Sequence, residues 1–182
     1  MQKFLKWTLE SIREDGAQLS WLEELRFEFS ATISQAIKQI IEGKTMVIIT
    51  DNDRKWFETY VLSSINRALN ERPMIPVVSI DAIYSSYDSI VGGELIDMLE
   101  DMLQLSFGEE FFFFYIGKGN DIRSDIAKRS PNSLLWIMDE EFSNSMPLRS
   151  YDEYIDIKLL QLFRQFDKTL SSTLFGEIDV EE

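Results

Sequence analysis

Cysteine and histidine are both absent from the 182 residues of this chain. The chain therefore has no thiol nucleophile, no disulfide, no histidine-based catalytic triad and none of the usual zinc ligand sets. Carboxylates are the remaining side chains that could bind a metal ion, which restricts a metal to Mg²⁺, Ca²⁺ or Mn²⁺.

Basic charge is also scarce. The chain carries 18 lysines and arginines against 32 aspartates and glutamates, a formal net charge of −14. The densest basic positions are the pairs Lys3/Lys6 and Lys128/Arg129. Neutralising a nucleic acid backbone needs a higher concentration of positive charge. We therefore expect no direct contact with nucleic acid, and instead a partner with a basic face.

Long apolar runs are missing as well. No stretch approaches the roughly 20 residues of a membrane span, and the first residues, MQKFLKWTLESIRED, are too charged for a signal peptide. We expect a cytoplasmic protein that does not enter a membrane. The composition, with 45% hydrophobic and 27% charged residues, predicts one globular domain over 1–182, with an acidic, mobile tail at 176–182.

Helical and strand patterns alternate along the chain. Apolar residues at helical spacing predict helices, and short continuous apolar runs predict strands that are buried on both faces. The predicted helices span 3–15, 20–42, 54–69, 94–105, 121–128 and 152–175, and the predicted strands span 45–50, 77–80, 111–116 and 133–138, with an irregular segment at 82–93. This order predicts an α/β fold of three layers, an α/β/α sandwich, in which two extra N-terminal helices precede the parallel sheet.

The predicted helices carry more apolar surface than one layer needs. Phe4 and Trp7 extend beyond a single face of the first helix, and Ile157 and Leu160 lie off the main apolar line of the last. A surplus of this kind indicates either a larger core or an oligomer interface. We favour the oligomer interface.

Two carboxylates occupy the turn after the first predicted strand. Asp51 and Asp53 follow the apolar run 46–49, at the strand end where open α/β sheets bind ligands. A phosphate cradle at this position needs glycine and a helix N-terminus free of negative charge. Because the turn has neither, it indicates either a carboxylate metal site or a pocket that is not used.

An Asp-x-Asp pair after a buried strand resembles the first motif of haloacid-dehalogenase-type phosphohydrolases. There one carboxylate attacks phosphorus and the other moves the proton, while Mg²⁺ neutralises both. Lys118 and Asp139 also follow strands, where the later motifs of that family would lie. The glycine-bearing segment that follows its first motif is missing here. The competing interpretation is that Asn52 or Asp53 caps the helix that begins near Arg54.

Two apolar pairs are candidates for contact with a partner protein. Trp56 and Phe57 lie early in a helix, beside the acidic turn, and either pack inward or form the rim of an interface. Leu174 and Phe175 end the last helix, and either fold back onto the body or anchor a partner, with acidic residues around them.

Five segments spread along the chain resemble the HobA family of replication regulators. They are Phe4-x-x-Trp7, KWFETYVLSSIN at 55–66, Glu71-Arg72-Pro73, SLLWIMDEE at 133–141 and KLLQLFRQF at 158–166. The resemblance implies a sugar-isomerase-type (SIS), Rossmann-like fold with five parallel strands, and we place the fifth strand within 78–84. It also implies a non-enzymatic homotetramer that binds the N-terminal domain of the replication initiator DnaA and promotes its assembly at the chromosomal origin.

The chain departs from SIS enzymes at the first strand end. Those enzymes hold a substrate phosphate with a loop rich in serine, threonine and glycine, where this chain has Asp51-Asn52-Asp53-Arg54. The resemblance therefore carries over no sugar-phosphate activity, no cofactor and no metal. DiaA, a related DnaA-binding protein, is similar in ending its last helix with Thr-Leu-Phe, which implies Leu174 and Phe175 as partner contacts. A Mg²⁺-dependent phosphohydrolase and a sugar-phosphate sensor are the alternatives.

Overall fold

A parallel β-sheet forms the centre of the structure, a computed structural model that describes residues 2–85 and 93–181. Within these residues it has five strands, in the order β2-β1-β3-β4-β5. They are β1 (Thr45–Thr50), β2 (Val77–Ser79), β3 (Phe111–Lys118), β4 (Leu134–Met138) and β5 (Met146–Leu148). Every neighbouring pair is parallel. The predicted α/β fold with a parallel sheet is confirmed.

Helices cover both faces of this sheet. Within the described residues they are α1 (Gln2–Glu14), α2 (Ser20–Glu24), α3 (Arg26–Ile41), α4 (Lys55–Ser64), α5 (Ile80–Ile83), α6 (Gly93–Phe107), α7 (Ile122–Arg129) and α8 (Ile155–Leu174). Helices α1 to α4 and α8 share one hydrophobic core with the sheet, and α5 to α7 share a second core on its other face. These are the three layers that the sequence predicts.

The central strand β3 contains an almost wholly apolar run at 111–116, and its surroundings explain this composition. Phe112 and Phe114 point into the core beneath α3, α4 and α8, whereas Phe113 and Tyr115 point into the core beneath α6 and α7. All four side chains are buried. Because helices cover both faces of this part of the strand, residues 112–116 have no exposed position that would favour a charged residue.

The fifth strand is not within 78–84, and that prediction is wrong. Residues Ile80–Ile83 form the one-turn helix α5, whose first turn is capped by the Ser79 hydroxyl, 3.1 Å from the Asp81 amide nitrogen. The fifth strand is β5, which pairs with β4 at the edge of the sheet. β5 contains Pro147, which has no N–H to donate and is tolerated only at a sheet edge.

Two predicted helices are shorter than their apolar patterns. The pattern over 20–42 is interrupted at Leu25, whose backbone is not helical, so α2 and α3 are separate. The pattern over 54–69 ends as α4 at Ser64 and is followed by a 3₁₀ turn at 68–70. Of the segment 82–93, predicted to be irregular, residues 86–92 lie outside the described residues.

The acidic tail contacts the body of the protein. Val180 is buried in the core shared with α3, and Ile178 packs against the same core. Lys38 of α3 forms an ion pair with Glu181 at 2.8 Å. The acidic composition of 176–182 did not indicate these contacts, which place the tail against the C-terminal end of α3.

Replacing Phe57 tests how much the core beneath α4 contributes to stability. The ring of Phe57 contacts the rings of Tyr60, Trp136 and Phe163. We expect Phe57→Ala to lower the free energy of unfolding by about 3–5 kcal/mol, because the lost contacts leave a cavity. Urea denaturation followed by circular dichroism measures this value. Phe175→Ala is the control, since that side chain is exposed and its loss should cost less than about 1 kcal/mol.

Candidate functional site

The turn after β1 is built around the buried carboxylate of Asp51. One oxygen, Oδ2, accepts a hydrogen bond from the backbone N–H of Lys118 at 2.8 Å and lies 3.3 Å from Nη1 of Arg54. The other oxygen, Oδ1, is buried with no partner in the described part of the chain. Asp51 therefore faces inward and joins the ends of β1 and β3, rather than facing a substrate.

Two cations of the chain itself neutralise the carboxylates of this turn. Nη1 of Arg54 lies 3.3 Å from Oδ2 of Asp51 and 3.0 Å from Oδ2 of Asp53, so one guanidinium bridges the pair. Nζ of Lys118 lies 3.2 Å from the same oxygen of Asp53. The guanidinium occupies the position between the two carboxylates that a bridging metal ion would need.

The turn after β3 packs directly against Asp51. A Cβ atom on Gly117 would lie 2.7 Å from the Tyr115 hydroxyl oxygen and 2.9 Å from Cγ of Asp51, so this position has room only for glycine. The Tyr115 hydroxyl donates to the carbonyl of Lys118 at 2.7 Å. Burial, and then the nearby Asp121 and Asp51, raise the pKa of Tyr115, which keeps the hydroxyl neutral and able to donate.

Polar side chains at the neighbouring strand ends are also bound internally. The buried carboxylate of Glu58 on α4 accepts hydrogen bonds from Thr50, at 3.0 Å, and from Ser79 at the end of β2. The guanidinium of Arg123 donates to Asn52 at 2.8 Å and to Asp121. The carboxyl edge of the sheet is thus crossed by side-chain bridges instead of a ligand-binding loop.

Neither Asn52 nor Asp53 caps α4, and that prediction is wrong. Both residues lie in a 3₁₀ turn over 52–54, and α4 begins after Arg54 without a side-chain cap. The physical reason is competition, since Asn52 accepts from Arg123 and Asp53 accepts from Arg54 and Lys118.

Asp139, the fourth residue of the phosphohydrolase hypothesis, is engaged elsewhere. It is exposed and accepts hydrogen bonds from the backbone N–H, at 2.9 Å, and the hydroxyl of Ser150. These bonds lower the pKa of Asp139 below its usual range and engage both of its carboxylate oxygens. The structure therefore brings Asp51, Asp53 and Lys118 together and leaves Asp139 bound to Ser150.

The residues of 2–85 and 93–181 include no group of three or more metal-ligating side chains that could hold a metal ion. Within the same residues, no helix combines the length and apolar character that crossing a membrane requires.

In each of the two candidate pairs for partner contact, one residue packs in the core and the other is exposed to solvent. Phe57 is fully buried, whereas Trp56 is partly exposed and meets the Phe57 ring edge-on at 5.5 Å. Leu174 packs against the core, whereas Phe175 is 55% exposed. The outer residues, Trp56 and Phe175, are the ones available to a partner.

Phe175 is presented on a fixed backbone. It ends α8, and Gly176 follows with a φ of 74°. The Gly176 N–H donates to Thr173 at 3.0 Å and the Glu177 N–H donates to Ser172 at 2.8 Å. This pair of bonds is a Schellman motif, which reverses the chain at a helix end and requires a left-handed residue there.

Trp56 and Phe175 do not form one continuous patch. The ring of Phe57, next to Trp56, contacts Phe163 in the first half of α8. Phe175 lies at the opposite end of that helix, roughly 18 Å further along its axis at 1.5 Å per residue.

Sequence reasoning missed the role of Arg54 and Arg123, which close the strand-end turn. The spacing of Asp51 and Arg54, three residues apart at the start of a helix, is a signal that could have indicated their pairing. Arg123 gives no such local signal, because its partner Asn52 is distant in sequence and only the parallel arrangement of the strands brings them together.

The geometry defines an α/β protein whose strand-end turn is closed by its own side chains. The sequence model of a protein family, described as "HobA: DNA replication regulator", matches residues 1–180. The chain therefore belongs to the HobA family, as the resemblance in the sequence indicates. DNA replication regulator protein HobA of Helicobacter pylori is 29% identical to it, over 98% of this chain and 99% of that protein.

Two solved structures resemble this one along nearly their whole length. A chain in the crystal structure of a HobA–DnaA (domain I–II) complex from Helicobacter pylori has a TM-score of 0.76 at 29% identity, covering 98% of this chain and 99% of that chain. The crystal structure of HobA from Helicobacter pylori has a TM-score of 0.71 at 26% identity, covering 97% and 98%.

Removing Asp51 tests whether this turn is a structural bridge. We expect Asp51→Ala to lower the free energy of unfolding by about 2–4 kcal/mol, because it leaves the Lys118 N–H without its acceptor and removes the buried one of the two carboxylates that neutralise the Arg54 guanidinium. Asp53→Ala is the matched control. The Asp53 side chain is 64% exposed and that of Asp51 is 5% exposed, so the control should cost less than about 1 kcal/mol. Equal losses in urea denaturation would contradict the bridge.

Proposed function

We propose that this chain is an adaptor that binds domains I–II of the replication initiator DnaA and promotes DnaA assembly at the chromosomal origin. The observation that carries the proposal is the match, along 98% of this chain at a TM-score of 0.76, to HobA in a complex with DnaA (domain I–II). Membership of a family of replication regulators supports the same role.

The adaptor acts without catalysis. Support comes from the strand-end turn, where Arg54 bridges the two carboxylates and Lys118 also pairs with Asp53. A phosphohydrolase needs a carboxylate that can reach phosphorus and a second that can give up a proton. Release of phosphate from an aryl phosphate, lost in Asp51→Asn, would contradict this part of the proposal.

The adaptor acts as a homotetramer in the cytoplasm. Exposed apolar side chains on the helices, such as Phe27 on α3 and Ile157 on α8, support burial against another copy. Several linked sites raise the effective concentration of a partner, so each single contact can be weak. DnaA supplies the contact with DNA, which agrees with the net charge of −14 on the adaptor.

In this proposal two residues contact the partner, Phe175 and Trp56. Both are aromatic and exposed. The Phe57 ring contacts Trp56 edge-on, and Leu174, which precedes Phe175 in the chain, packs against the core. Aromatic side chains on a rigid support are the usual anchors of protein interfaces. Leu174 and Phe57 contribute by holding these anchors in place.

Mixing the purified chain with domains I–II of DnaA tests the adaptor role. We expect complex formation in isothermal titration calorimetry. We also expect the chain alone to have a mass in solution of about four times 21.3 kDa. A chain that shows no binding to these domains would refute the adaptor. A monomer that does bind them would refute only the tetramer.

Exchanging the exposed aromatic residues tests the contact surface. We expect Phe175→Ala and Trp56→Ala each to weaken DnaA binding by about tenfold or more, as loss of an interface anchor does. Tyr154→Ala is a matched control, since Tyr154 is an aromatic residue that is 59% exposed and Phe175 is 55% exposed. The contact residues are wrong if both variants bind as the control does, while the wild-type chain binds.

A further inference from the structure

Helix α6 is attached to the sheet by a narrow face. The residues that it buries are Ile96, Leu99 and Leu103, which pack with β1 and β3 in the core beneath α6 and α7. Most of the remaining surface of this helix is exposed. The helix therefore has a second, outward-facing apolar arc that is exposed among the residues that the structure describes.

This outward arc forms a continuous apolar stripe. Leu95, Met98 and Met102 are 37–41% exposed and Leu105 is 88% exposed. Their spacing of three, four and three residues places them on one side of the helix, in the pattern that meets a second helix. We call these four residues the α6 stripe. Two of them are methionines, whose flexible side chains adapt to the surface they meet.

A row of carboxylates borders the stripe. Glu94, Asp97 and Asp101 are one turn apart, next to the stripe and away from the buried face, and all three are exposed. Nη1 of Arg129 on α7 lies 2.5 Å from Oδ1 of Asp97, which leaves the row with a net negative charge. The stripe and the row together are complementary to an apolar helix that carries lysine or arginine along its flank.

Helix α6 of a second copy, packed in antiparallel orientation, fits the surface poorly. If α6 packed against α6 of another copy in antiparallel orientation, the acidic row of each would face the acidic row of the other, and like charges at this spacing repel. A basic partner gains charge attraction along the same row. The apolar residues alone would allow α6 of a second copy to bind here, whereas the acidic row favours a basic helix.

We propose that the α6 stripe binds an amphipathic helix with basic flanks that belongs to another protein. The stripe lies on the sheet face opposite to α4 and α8, which carry Trp56 and Phe175. The adaptor therefore has a second interaction surface, independent of the proposed DnaA contacts, and can hold two partners at once.

Binding of a synthetic peptide to the full chain tests this surface. The probe is a labelled helical peptide of about 15 residues, the length of α6, with leucines at helical spacing and lysines on the flanks. A peptide with glutamates on the flanks is its control. We expect fluorescence anisotropy to show binding of the basic peptide, weakened between roughly 50 and 500 mM salt, and little binding of the acidic one.

Variants of the chain locate the binding. We expect the double variant Met98→Lys/Met102→Lys to bind the basic peptide about tenfold more weakly, and Asp97→Asn/Asp101→Asn to reduce its salt dependence. Met74→Lys, at an exposed methionine outside α6, should bind as the wild-type chain does. Circular dichroism of each variant confirms that it is folded.

Three results would overturn the proposal. One is absence of basic-peptide binding to the wild-type chain, and another is binding that the α6 variants leave unchanged. The third is a fall in the solution mass of the chain with Met98→Lys/Met102→Lys, which would assign the stripe to a second copy. DnaA binding measured on the same double variant should remain as in the wild-type chain, so failure here is distinguishable from failure of the adaptor role.

Discussion

The ion pair between Asp51 and Arg54 is the constraint on which the carboxyl edge of the sheet depends. One buried carboxylate joins β1, the backbone at the end of β3 and the start of α4. Gly117, near the end of β3, packs so closely against the same carboxylate that a side chain at this position would collide with it. The position where open α/β sheets bind ligands is therefore used to fasten strands to helices.

The two helical layers differ in how fully they are packed. Helices α1 to α4 and α8 bury a large aromatic core that includes Phe57, Trp136 and Phe163, and the tail adds Val180 to it. The layer of α5 to α7 is thinner, and α6 keeps an apolar arc outside. The two surfaces that we propose therefore differ in kind, since one consists of single aromatic residues beside a large core and the other is an apolar arc along one helix.

The sequence was sufficient for four strands and for the layers, because continuous apolar runs such as 111–116 have no other stable place than the centre of a parallel sheet. It was not sufficient for β5, where three residues that include Pro147 give no strand signal. The break at Leu25 was hidden because the apolar pattern continues through it. At the turn the sequence located the carboxylates, but their partners depend on how the strands align. The sequence also did not show which of Trp56 and Phe57 is buried. Adjacent residues on a helix point in different directions, and packing decides which of them faces the core.

Rigid presentation explains how a single exposed ring such as Phe175 can serve as an anchor. Binding through a mobile side chain on a mobile backbone loses part of its energy to ordering. Here the Schellman motif fixes the end of α8, Leu174 packs beneath it, and the tail turns back at Gly176 to bury Val180 and pair Glu181 with Lys38. The contacts of the acidic tail therefore stabilise the reversal of the chain at Gly176, and this reversal leaves Phe175 exposed to solvent. A backbone held in this way loses little conformational freedom on binding, so more of the burial of the proposed anchor Phe175 contributes to affinity.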